Sequence, residues 1–183
     1  YIENEDGGNC QNFVSQCVWV GYGGNIAGAG NTISNIRNRI RMVSGSDGWY
    51  TSPKGSSDTS ETWTHVNPFW DYVTSSPTVG PKGTGYNDDG LYTYISAFSI
   101  SKGCVLQFRE GRRILNGGNY QHSVIVSDVQ TSGMMSTSYD KIFVCANSNT
   151  RKDVPLKSVM IDGFGGSNCY MRMIVFQAGN FNS

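Results

Sequence analysis

Residues 7–20 read GGNCQNFVSQCVWV and predict a helix close to the start of the chain. Apolar side chains recur in this region at helical spacing and would form one buried stripe, made of Cys10, Phe13, Val14, Cys17 and Val18. Asn9 is a typical N-cap residue and Gly21 can end a helix, so we expect the helix to lie within residues 7–24. Cys10 would then stand in the first turn, at the N-terminal edge of the buried face.

Strand patterns replace helical patterns after residue 91. Runs of β-branched and aromatic residues, separated by turn residues, predict four strands at 104–108, 122–129, 141–147 and 170–177. The segment NPFWDYVTS predicts a short helix before them, with Asn67 as its N-cap and Pro68 at its first helical position. Because helices come first and strands follow, the sequence predicts an α+β fold with an antiparallel sheet. We expect a single domain over residues 1–183.

The charge balance argues against several classes of function. Lysine and arginine together number 14, as do aspartate and glutamate, whereas a nucleic-acid or polybasic membrane-surface protein needs an excess of basic residues. No apolar run approaches the ~20 residues of a membrane span. Two histidines and no C-x-x-C pair argue against a structural zinc site, and we expect no metal and no cofactor. The polar, uncharged and aromatic-rich composition is common in secreted bacterial proteins.

A cysteine in the first turn of a helix is suited to nucleophilic chemistry. Unpaired backbone N–H groups and the helix dipole both favour the thiolate there, and the same N–H groups can hold an oxyanion. The thiol needs an imidazole, and His122 begins a predicted strand at a sheet end. Asn147 ends the next predicted strand and would orient that imidazole if the two strands are neighbours. Asn149, two residues further on, is the alternative.

Other interpretations of the same residues remain open at this point. Cys10 can be a small core residue, His122 a hydrogen-bonded structural residue, and Asn147 a turn former. Five cysteines allow two disulfides and one thiol, or five thiols. The competing function is a non-catalytic secreted binding module that holds glycan or protein on its aromatic clusters, with Cys10 in a disulfide. We expect the tryptophans at 49, 63 and 70 to be core, and His65 to be a surface or packing residue.

Five segments, in order, resemble the motifs of the bacterial putative amidase domain family. That family resembles the wider papain-like group, which includes the CHAP and NlpC-type peptidoglycan hydrolases. The resemblance implies a papain-like fold in which an N-terminal helix carries the nucleophile and packs on an antiparallel sheet. The matching segments are GGNCQNFVSQC (7–17), SETWTHVNPFWDYV (60–73), SKGCVLQF (101–108), HSVIVSDV (122–129) and ANSNTRKDVPL (146–156).

The resemblance also implies a set of catalytic residues and a substrate. Cys10 matches the nucleophile and His122 the general base, while Asn147 stands where the family has a histidine and would orient His122. The implied reaction is cleavage of an amide or peptide bond in cell-wall peptidoglycan by a secreted or cell-surface bacterial enzyme. An amine in place of water would make the same site an acyl transferase.

Four further residues are weaker candidates for the site. Asn9 replaces the aspartate that precedes the family's nucleophile, and Gln11 follows it. Asn149 is the alternative orienter. A second donor for the oxyanion is expected either from near Tyr1 or from the stretch that precedes the cysteine motif in family members. The partner expected is the cell-wall peptide or another amide substrate, with no nucleic acid and no membrane span. Cys104 also departs from the family, which has an aspartate there.

Overall fold

The fold is α+β, as the order of helical and strand patterns predicts. The computed structural model describes residues 9–24, 28, 30, 32–40, 42–45, 48–51, 59–88, 94–111, 118–130, 138–147, 151–164 and 169–181. The chain divides into two compact units, the first made of residues 1–84 with 176–183 and the second of residues 85–175. A single domain over residues 1–183 stays a prediction. No helix in the described part of the chain is both long and apolar enough to cross a bilayer.

Among the described residues, four α-helices belong to the first unit and one belongs to the second. Their bounds are α1 Asn9–Trp19, α2 Ile33–Arg39, α3 Glu61–Thr64, α4 Val66–Thr74 and α5 Leu156–Phe164. The six strands are β1 Gly83–Tyr86, β2 Val105–Glu110, β3 His122–Val129, β4 Ile142–Ala146, β5 Arg151–Pro155 and β6 Cys169–Phe176. The four strands predicted from sequence are all present as β2, β3, β4 and β6.

Helix α1 differs at both ends from the expectation. Asn9 is its first helical residue rather than the N-cap before it. The helix does not end at Gly21 but continues as a wider π-helical turn, Val20–Gly24. The backbone leaves helical geometry at Tyr22 and Gly23, and the φ of 101° at Gly23 is readily available only to glycine. The stop signal is therefore the second of the three nearby glycines, which the pattern alone did not distinguish.

The interior of the first unit is aromatic. Trp49 and Trp63 are fully buried with ring centroids 4.5 Å apart, and Trp70 is 4% exposed, so the prediction that these three form core is confirmed. Helix α4 begins two residues earlier than expected, at Val66, with His65 in the N-cap position. The predicted cap, Asn67, therefore lies inside the helix. The short helix α3 ends at Thr64, and the extended backbone of His65 separates the two helices.

The sheet has the strand order β1-β6-β2-β3-β4-β5. Strands β2 to β5 form an antiparallel meander, and β6 pairs antiparallel with β2 on the other side. Strands β1 and β5 were missed from sequence because GTGY and RKDVP lack the apolar alternation of a half-buried strand. Both are edge strands, where polar residues, glycine and proline are tolerated.

The two faces of the sheet differ in chemistry. Alternate residues on one face build the apolar core of the second unit, with Phe108, Val124 and Val144 fully buried. Helix α5, also missed from sequence, covers this face with Leu156 and Val159, since both belong to the same cluster. The opposite face carries buried polar side chains at Gln107, Arg109, Ser123 and Arg172. The alternation fixes which face each candidate site residue on these strands occupies.

Candidate active site

Cys10 is the second residue of α1 and is 7% exposed. Its place in the first turn puts the sulfur beside backbone N–H groups that have no partner within a helix, as the sequence predicts. All five cysteines are thiols in the structure. The position therefore offers the local electrostatics that favour a thiolate and stabilise an oxyanion.

A buried polar network anchors the helix that carries Cys10. Ser15 lies in the middle of it: its hydroxyl donates to the Trp63 carbonyl at 2.8 Å and accepts from the Trp49 indole at 3.3 Å. Gln11 donates to the same hydroxyl at 3.1 Å. One turn away, Asn12 accepts from the Trp63 indole at 2.8 Å. Because every link is buried and directional, the network fixes the rotation of α1 about its axis.

This network corrects the predicted helix face. Phe13 and Cys17, expected on the buried stripe, are only half-buried, whereas Gln11, Asn12 and Ser15 are almost completely buried. The apolar pattern did not predict the burial of these three residues because it treats polar residues as solvent-facing. The tryptophans could have indicated it, since a buried indole N–H needs a polar acceptor.

His122 is the first residue of β3 and is half-buried. Its ring lies against two phenylalanines, with centroids 6.5 Å from Phe108 and 5.7 Å from Phe164. Burial, and to a smaller extent the charge of Arg151, lowers the pKa of His122 from 6.5 to about 4. The imidazole is therefore neutral at neutral pH and has a nitrogen able to accept a proton.

Asn147 follows the last residue of β4, and β4 is the antiparallel neighbour of β3 through pairs such as Ile125 with Cys145. The expectation that the two strands are adjacent is confirmed, and His122 and Asn147 lie at the same end of the sheet. If β4 continued as a strand, Asn147 would pair with Ser123. Its side chain would then lie on the face of the sheet opposite to that of His122. Asn147 is already in a turn, however, so the turn rather than the pleat sets its direction.

Arg151 belongs to the same end of the sheet as these two residues. It pairs with Ala146, the last residue of β4, across the β4–β5 ladder. That position accounts for the effect of its charge on the pKa of His122. Arg151 is not among the site residues predicted from the sequence, although it falls within the matching segment 146–156. Its position in the sequence, soon after Asn147, could have identified it as a candidate.

The remaining candidates have different environments. Gln11 is committed to the network beneath α1. Tyr1 and Asn149 lie outside the described residues. Cys104 is 3% exposed, with its sulfur 3.1 Å from the Ser101 hydroxyl. Among the residues that the structure describes, no group of three or more histidine, cysteine or acidic side chains is arranged to hold a metal ion.

The comparison with known protein families gives a match over most of the chain. The model of the putative amidase domain matches residues 1–172, a range that includes Cys10, His122 and Asn147. Neither a curated protein nor a solved structure matches the chain. The family match supports amide hydrolysis as the general activity and a hydrolase as the class of enzyme. The chain belongs to the putative amidase domain family.

Proposed function

We propose that this chain is a cysteine amidase or peptidase of the papain-like group, related to the CHAP and NlpC-type hydrolases. Its substrate is an amide or peptide bond of bacterial cell-wall peptidoglycan, and it acts as one catalytic domain, secreted or at the cell surface. The observation that carries the proposal is the thiol of Cys10 in the first turn of α1, within a family of amidases. The anchored position of that helix supports it, because nucleophilic catalysis needs a fixed attacking atom.

In the acylation step, the Cys10 sulfur attacks the carbonyl carbon of the scissile amide. The thiol proton passes to His122, and the carbonyl oxygen becomes an oxyanion held by the backbone N–H of Cys10. His122 then gives the proton to the leaving amine, and the C–N bond breaks. Water attacks the resulting thioester with His122 as base, which releases the acid and restores the thiol.

The lowered pKa of His122 favours a mechanism in which the imidazole is neutral before the thiol attacks. With a pKa of about 4, His122 is neutral at neutral pH and accepts the thiol proton as attack proceeds. Asn147 is the proposed positioning residue, since its side-chain oxygen can accept from an imidazole N–H and fix the tautomer. An amide stabilises the imidazolium less than a carboxylate does, which also suits an imidazole that stays neutral between turnovers.

The experiment that tests the proposal is partial alkylation with iodoacetamide, mapped to each cysteine by mass spectrometry. The substrate is purified peptidoglycan, and the readout is the release of new amino groups. We expect activity to fall in proportion to the fraction of Cys10 that is modified. Cys17, half-buried on the same helix, is the matched control, and its modification should not account for the loss. Full activity with Cys10 completely alkylated would overturn the cysteine mechanism.

A further inference from the structure

The second unit contains an open cavity of about 710 Å³ that the proposed chemistry does not use. It is lined by residues of β1, of β6 and of the segment between residues 94 and 101. Its size falls within the range of roughly 300–1,000 Å³ that small-molecule sites occupy. The cavity is therefore large enough for a ligand such as a short oligosaccharide.

The lining combines aromatic faces with hydroxyl groups. Tyr86, on edge strand β1, is 46% exposed, and Tyr94 is half-buried. Ser96, Ser99 and Ser101 are all exposed, so their hydroxyls are accessible from solvent. None of the described residues that line the cavity carries a charge. A charged ligand would lose hydration there without gaining a counter-charge, so the lining favours a neutral one.

The walls of the cavity are held by hydrogen bonds. The Tyr139 hydroxyl donates to the Ile95 carbonyl at 2.6 Å, and the Asn87 side chain donates to the Met171 carbonyl at 2.7 Å. The Ser101 hydroxyl lies 3.1 Å from the Cys104 sulfur. These bonds fix the backbone on both sides of the opening. The cavity is accordingly preformed, which lowers the entropy lost on binding.

The exposed ring of Tyr86 is the accessible aromatic surface of the lining. The C–H face of a sugar ring packs on an aromatic ring, while the hydroxyls at its edge need hydrogen-bond partners such as serine and amide groups.

We propose that this cavity binds a neutral saccharide. Tyr86 supplies the packing surface, and the serine hydroxyls supply the polar contacts. The inference does not depend on Cys10 chemistry, and it fits a glycan-containing substrate.

The test is isothermal titration calorimetry on the full-length Cys10→Ala protein, which binds without turnover. The probes are tri-N-acetylchitotriose and cellotriose, both neutral, with the fully deacetylated, cationic chitotriose as the charged comparison. We expect at least one neutral trisaccharide to bind, and the cationic one to bind at least about tenfold more weakly. Binding of only the acetylated probe would identify the N-acetyl group as part of the ligand.

Single-residue variants test whether the saccharide binds in this cavity, and a control variant separates a loss of binding from a folding defect. Tyr86→Ala should raise Kd by about tenfold, the scale of one lost aromatic contact. Ile161→Ala is the matched control, because Ile161 is 54% exposed on α5 and does not line the cavity. Tyr86 is 46% exposed, so its replacement should not disturb the fold. Absence of binding by both neutral probes, or equal binding by the Tyr86 and Ile161 variants, would overturn the proposal.

Discussion

The indole Nε1 of Trp63 donates a 2.8 Å hydrogen bond to the side-chain oxygen of Asn12, joining α3 to the helix that carries Cys10. Both residues are almost completely excluded from water, with exposures of 0% and 1%. A buried indole that loses its acceptor pays the full cost of desolvation. This pair therefore links the stability of the first unit to the position of the candidate nucleophile.

Replacing Asn12 with alanine should lower the free energy of unfolding by about 1–3 kcal/mol, because the Trp63 N–H would stay buried without this acceptor. The measurement is urea unfolding followed by tryptophan fluorescence. Gln16→Ala is the control: Gln16 is half-buried and donates to the same Asn12 oxygen at 3.2 Å, so its loss should cost less than about 1 kcal/mol. Equal losses in the two variants would contradict the role given to the indole.

Cys10→Ala should reduce kcat on peptidoglycan by at least about 10³-fold, since removal of a nucleophile leaves only the contribution of binding and the oxyanion site. The thermal midpoint should change little, because a buried cysteine replaced by alanine loses only one sulfur atom. Cys17→Ala, on the same helix, should keep near-normal kcat. The assay is chromatographic separation of the released fragments. A Cys10→Ala enzyme with normal turnover would rule out the covalent mechanism.

The lowered pKa of His122 predicts a stability change between about pH 6.5 and pH 4. The unfolded chain takes up a proton on this histidine below its ordinary pKa, while the folded protein resists protonation until about pH 4. Stability therefore falls as the pH drops through this window, by at most about 3 kcal/mol. Urea unfolding at a series of pH values measures the slope.

One variant assigns that slope to its source. His122→Gln, which cannot be protonated, should make the curve flatter between pH 6.5 and pH 4. Activity on peptidoglycan should also persist down to about pH 4, where His122 becomes protonated and can no longer accept the thiol proton. A slope that survives in His122→Gln would place its origin elsewhere.

Asn147→Ala should lower kcat at least about tenfold, but by less than the ~10⁴-fold loss that follows when a serine triad loses its orienting carboxylate. KM should change little, since a positioning residue acts on the imidazole and not on the substrate. Asn147→His introduces the residue that the resemblance places at this position and should restore most of kcat with a shifted pH profile. A purely structural asparagine would instead show reduced stability in both variants with parallel loss of activity.

The sequence by itself determined the local features of this protein. The glycine–asparagine–cysteine start, the helical spacing after it and the β-branched runs at 104–108 and 122–129 depend on propensities that act within a few residues. For that reason the helix bearing Cys10, the strand beginning at His122 and the α+β class were all predictable. The ordered set of matching motifs likewise indicated the amidase family without any coordinates.

Tertiary structure decided what depends on contacts between distant segments. The burial of Asn12 and Ser15 follows from indole donors 34 to 51 residues away along the chain, which no helical periodicity encodes. Edge strands β1 and β5 are held by their neighbours and not by their own polar sequences. The neutral state of His122 also comes from burial against Phe108 and Phe164 and from the charge of Arg151, a residue two strands away in the sheet. Hydrogen bonds, packing and charge interactions form between residues that are close in space, so only the folded chain determines their effect on these residues.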